Sequence, residues 1–152
     1  MNIKISRENN AHWQKKGALA FRFETKGKDG LLVSQGEKDV LILSIGDEGK
    51  MTRRKLMLLA RRTISEVMAK KYVTVVFDFQ QFRFSAIQIT DSELAELLTV
   101  NFLMAHFVFR DFLEKPKDGF PEVVDVIFVN ANSKEIKRGI ERGVIIGEEV
   151  NR

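Results

Sequence analysis

The side chains that could do chemistry are sparse in this sequence. Its two imidazoles are His12 and His106, and no second histidine stands at a metal-ligand spacing from either. His106 sits inside an apolar stretch, where a hydrogen-bonded core histidine is expected, and His12 beside Trp13 reads as a surface residue. With no cysteine, thiolate metal sites, disulfides and thiol catalysis all drop out. None of the serines lies in G-x-S-x-G, so no nucleophile can be nominated. Asp78, and Asp47 with Glu48, follow predicted interior strands and would stand at the carboxyl edge where open α/β sheets bind ligands. Solvated loop acids are the plainer reading, because position in a fold does not establish a role. Gly46 to Gly49 precedes a helix as phosphate cradles do, but its two acids would repel a phosphate. Arg54, Lys55, Arg61 and Arg62 on one helix are candidate contacts for an anion or nucleic acid, joined by Lys134, Lys137, Arg138 and Arg142 on another. Glu66, Glu135 and Glu141 dilute that charge, and no exposed aromatic row accompanies it for stacking on bases.

The chain that must position these groups has 152 residues, enough for one domain that folds without a disulfide or metal. A hydrophobic share of 44% and a charged share of 30% are those of an ordinary globular protein, and the net charge of +4 gives a mild preference for anionic partners. Neither a signal peptide nor an apolar run long enough for a membrane span is present, so a soluble cytoplasmic protein is expected.

The longest element is predicted over 90–115. Thr90 and Glu93 have capping-box spacing. Beyond them Leu94, Leu98, Phe102, Ala105, Phe109 and Phe112 recur at helical intervals, while Leu97, Leu103, Met104, Phe107 and Val108 fill most of the remaining circumference. Such a helix must be covered on more than one side. Strands are predicted over 2–6 and 18–24 as half-buried elements, and briefly over 31–33. Three further runs, 39–45, 73–79 and 123–129, are apolar enough for strands covered on both faces. Residues 80–89 could alternate as one more strand. Thr52 can cap a helix through Ala69, and Ser133 can cap a last helix. The order implies a three-layer mixed α/β domain, with a mostly parallel sheet, helices on both faces and antiparallel edges from the early strands. The last helix still carries Ile146 and Val150 where the chain stops, as though cut at a domain boundary.

Four stretches together resemble the non-catalytic N-terminal domain of the leucine aminopeptidase (cytosol aminopeptidase) family. They are the strand over 39–45 with Gly46, the double-arginine helix over 52–69, the pattern Phe107-x-Phe109-x-x-Phe112, and Gly143-x-x-Ile146-Gly147-x-x-Val150-Asn151. The family usually has tyrosines for the outer two phenylalanines, a Glu-Gly pair at Val100-Asn101 and a lysine at Leu113. The resemblance implies a macro-domain-like fold spanning 1–152, with 143–152 beginning the helix that leads into an absent catalytic domain. It further implies a hexameric parent that removes N-terminal residues from peptides with two zinc or manganese ions. This chain itself would then hold no metal and cleave nothing. Its partner would be its own C-terminal catalytic domain, with Phe107, Phe109, Phe112, Ile146 and Val150 as candidate interdomain packing. Two other readings stay open: a DNA-binding module built on the basic helices, and a macro-like binder of ADP-ribose. Val129-Asn130-Ala131-Asn132 superficially matches the macro-domain Asn-Ala-Ala-Asn signature, but no glycine-rich loop follows it.

Overall fold

The computed structural model of the chain describes residues 1–7, 17–36, 38–107 and 113–152. Among these residues six strands and three helices follow in the order β1 (Asn2–Ile5), β2 (Leu19–Glu24), β3 (Leu31–Gln35), β4 (Lys38–Ser44), α1 (Arg53–Ala69), β5 (Thr74–Asp78), α2 (Asp91–His106), β6 (Asp125–Val129) and α3 (Lys134–Val150). Short 3-10 turns lie at Glu48–Lys50 and Phe79–Phe82. The strands form one sheet in the order β1-β6-β5-β2-β4-β3. Every neighbouring pair is parallel except β3 with β4, so the sheet is mixed and mostly parallel, as expected.

The early strands do not supply antiparallel edges. β1 is an edge but parallel to β6, and β2 is interior, between β5 and β4. Ala20 misleads in the sequence, because a small residue between Leu19 and Phe21 reads as an outward position although all three are buried. β3 is the antiparallel edge. Residues 80–89 contain no strand; Phe82 and Phe84 are buried from a 3-10 turn and the coil after it.

The three described helices all pack on one face instead of dividing between two. Leu19 and Phe21, Leu41 and Leu43, Val75 and Phe77, and Val126 and Phe128 project from successive strands into a single core with residues of α1, α2 and α3. The cause is the strand order. From β4 through α1 to β5, and from β5 through α2 to β6, the chain moves the same way along the sheet, and right-handed crossovers then place their helices on the same face. On the opposite face Ala18, Val76 and Val129 are buried and pack against Ile127.

Phe77 is the centre of the core, with its ring 4.9 Å from that of Phe102, 5.2 Å from Phe21 and 5.5 Å from Phe82. Offset and edge contacts of this kind add about 0.5–1.5 kcal/mol per pair to burial itself. Thr52, Thr90 and Ser133 cap α1, α2 and α3, each accepting a backbone N–H three residues on, and Glu93 completes the capping box at Thr90.

α2 lies between α1 and α3 as well as on the sheet, which is the multiple cover its composition demands. It stops at His106 rather than running to residue 115, and Phe107 is already extended at φ −67°, ψ 124°. There the His106 ring accepts the Val123 N–H through Nε2 at 3.2 Å and fastens the last turn to the lead into β6. α3 meets α2 through Gly139, Gly143 and Gly147, all buried. A Cβ on Gly139 would collide with the Ser92 carbonyl oxygen; on Gly143 it would lie 2.6 Å from the Thr99 Cβ, and on Gly147 2.5 Å from the Leu103 Cδ1. The helices approach this closely because those three positions carry no side chain.

Candidate functional site

Three regions bear on function. At the carboxyl ends of the strands, the acids are committed to local structure. Asp47 accepts the Gly49 N–H at 2.9 Å and Asp78 accepts the Gln80 N–H at 3.0 Å, each opening a 3-10 turn. The Gln80 side chain donates to the Asn130 carbonyl at 2.9 Å, linking the ends of β5 and β6. Among the described residues, no three histidine, aspartate or glutamate side chains come together as a metal would require. The described residues therefore offer no donor set for the two metal ions implied for the parent.

The basic residues of α1 are largely engaged. The Arg61 Nε donates to the Asn101 Oδ1 at 2.7 Å, and the buried Asn101 turns its Nδ2 to the Leu97 carbonyl at 2.8 Å. This bridge ties α1 to α2. Arg62 pairs with Asp29 at 2.5 Å, and that guanidinium, helped by the Ser44 N–H, holds the Asp29 carboxyl below the usual carboxylate range. The Lys55 Nζ donates to the Lys50 carbonyl at 3.0 Å. Arg54 stays exposed. On α3, Arg142 reaches Glu96 at 2.9 Å and the Ser92 hydroxyl at 3.0 Å. The sequence groups these cations, whereas the fold spends several of them on contacts between elements.

The third region is apolar. Phe107, after α2, is 48% exposed; Ile146 and Val150, on the last turns of α3, are 40% and 55% exposed, and Ile145 is 65% exposed. Phe109 and Phe112 lie outside the described residues. The Asn151 side chain donates to the Leu103 carbonyl at 3.1 Å, so the end of α3 is pinned beside the end of α2. Ile146 also borders a depression of about 380 Å³ lined by Met57 of α1, by Leu97 and Val100 of α2, and by the polar Arg53, Glu93, Glu96 and Asn101. The sequence offers a signal for these added residues: α2 is apolar around most of its circumference, and a helix on a sheet keeps one side outward.

No family model and no curated protein sequence matches the chain. Solved structures do. A mutant of tomato leucine aminopeptidase superposes with a TM-score of 0.75 at 10% identity, over 99% of this chain and 36% of that one. The bottromycin maturation enzyme BotP, in complex with Mn, gives 0.62 at 14% identity, over 90% of this chain and 30% of that one. A second BotP structure gives 0.61 at 14% identity, over 90% and 31%. The chain thus spans about a third of the length of the structures it matches, and at these identities the likeness is one of fold. The α/β fold is that of the leucine aminopeptidase N-terminal region, which the resemblance seen in the residues implied.

Proposed function

We propose that this chain is the non-catalytic N-terminal accessory domain of a leucine aminopeptidase-like exopeptidase, whose peptide-cleaving chemistry resides in a separate C-terminal domain. The observation that carries this reading is the match of 99% of the chain to 36% of an aminopeptidase. In this reading the divalent ions, zinc or manganese, belong to the other domain. The apolar surface of Ile145, Ile146 and Val150 with Phe107 meets that domain, and assembly into a hexamer is a property of the whole enzyme. A DNA-binding role has less support, since Arg61 and Arg62 already have partners in the fold. ADP-ribose binding has less support because Asn132 leads straight into the capped start of α3.

Two measurements test the reading. The reading frame downstream of Arg152 is expected to encode lysine- and aspartate-bearing metal motifs; a stop codon there overturns it. The purified chain, supplied with manganese or zinc, is expected to release no chromophore from leucine p-nitroanilide. Turnover that copurifies with the chain would place the chemistry here instead.

A further inference from the structure

The β1 edge of the sheet carries an inference independent of the aminopeptidase reading. The Asn2 and Ser6 amides donate to the Val124 and Phe128 carbonyls at 2.7 and 2.8 Å, and among the described residues β1 pairs with β6 alone. Successive residues of a strand turn their N–H and C=O groups to opposite sides. Ile3 and Ile5 therefore direct theirs outward, along an edge with no neighbouring strand among the described residues. Beside this edge, between β1 and the first half of α3, lies a groove of about 470 Å³. Ile3, Ile5 and Ile140 give it an apolar lining; Arg7, Lys134 and Lys137 give it three cations. All three are exposed and make no ion pair among the described residues. Glu141 also lines the groove. Because α3 starts beyond the carboxyl end of β6, Lys134 lies toward the end of β1 and Glu141 toward its start.

We propose that β1 accepts an extended acidic peptide segment as an added strand, its backbone pairing with Ile3 and Ile5 and its carboxylates facing Arg7, Lys134 and Lys137. Side chains of an added strand alternate between the two faces of the sheet. Those facing the groove run from apolar, beside Ile3 and Ile140, to acidic, beside Lys134, and Glu141 disfavours the reverse placement. Strand addition takes affinity from main-chain hydrogen bonds and specificity from alternate side chains, and this edge supplies both. A polyphosphate or nucleic acid would use the cations and leave the outward amides, carbonyls and isoleucines unmatched. A second copy pairing β1 with β1 antiparallel would set the Lys134 end of one edge against the Glu141 end of the other and bring only one acid to three cations. Lys4, exposed on the strand and paired with Asp125 at 2.8 Å, adds the kind of charge that discourages indiscriminate edge pairing.

The test is fluorescence anisotropy with a fluorescein-labelled decapeptide in which every second residue passes from valine to aspartate along the chain, with threonines between. Three comparisons accompany it: lysines replacing the aspartates, N-methylation of every second amide, and the protein variant Lys134→Glu/Lys137→Glu. Saturable binding of the acidic peptide is expected, weakened about tenfold or more by the double charge reversal. It should be lost on N-methylation, which removes strand pairing and leaves the protein untouched. Equal binding of the N-methylated or the basic peptide would overturn the proposal, as would absence of binding. So would a concentration-dependent dimer that the acidic peptide fails to dissociate. Should the double variant lose its fold by circular dichroism, the N-methylated peptide still decides.

Discussion

At the scale of single residues, the polar groups with the clearest thermodynamic signature are Tyr72 and Asp39. The Tyr72 hydroxyl donates to the Asp39 carboxylate at 2.5 Å, and the Ser34 hydroxyl donates to it at 2.8 Å. Burial, reinforced by that bond and by the carboxylate charge, pushes the Tyr72 phenol up to about 12, while the bonds from Tyr72 and Ser34 hold Asp39 below the usual carboxylate range. An unfolded tyrosine titrates near about 10, so the stability tied to Tyr72 is whole below that pH and drains away between about 10 and 12. Asp39 carries the opposite sign: its contribution is present above about pH 4 and is lost as the pH falls through the lowered folded value. Urea midpoints measured from pH 8 upward are expected to fall more steeply in the parent than in Tyr72→Phe above about pH 10; parallel curves would refute the coupling. The Arg61–Asn101 bridge makes a second prediction. Asn101→Leu leaves a part-buried guanidinium with only its long contact to the Met104 Sδ at 3.6 Å and should cost about 1–3 kcal/mol, whereas Arg54→Ala, at an exposed position, should change stability by less than about 0.5 kcal/mol. Equal effects in urea titrations would mean that Arg61 is an ordinary surface cation. Its involvement could not be read from the chain, because the partners are 40 residues apart.

At the scale of elements, α2 and α3 form the tightest pairing of the fold. Gly139, Gly143 and Gly147 recur every four residues and so share one helix face, against Ala95, Thr99 and Leu103 at the same period on α2. The spacing is visible in the sequence, yet glycine in a helix reads first as a weakness. Only the position of α2 shows it to be a requirement of close approach. Gly139→Ala would gain about 1 kcal/mol in helix propensity but set a methyl group against the Ser92 carbonyl oxygen, for a net loss of about 1–3 kcal/mol. Ser65→Ala, exposed on α1, is the control and should be neutral or slightly stabilising. If both variants melt alike, the helices can separate without penalty and the packing argument fails. The caps at Thr52, Thr90 and Ser133 were legible because they depend on residues three apart in the chain. The end of α2 was not legible. Phe107 continues an apolar pattern that favours helix, and the His106–Val123 contact that fastens the helix end is tertiary.

For the whole molecule, the proposed assignment makes the exposed end of α3 an interface. Ile145→Ser/Ile146→Ser should leave the isolated chain as stable as the parent to within about 0.5 kcal/mol. It should abolish association with the catalytic region that this assignment expects downstream, followed by size-exclusion chromatography of the coexpressed pair. Association that survives would move the interface elsewhere. The chain by itself determined where most strands and helices form, residues 80–89 and the end of α2 excepted, through apolar periodicity and caps, because those signals act within a few residues. It also determined that the interior strands must be covered on both faces. Tertiary structure decided the rest: that β2 is interior and parallel, that α1, α2 and α3 share one face, and that Arg61 and Arg62 serve as ties between elements. The physical reason is range. Strand order and side-chain partnership depend on residues brought together across 20 or more positions, and local pattern is silent about which distant element a buried or charged face will meet.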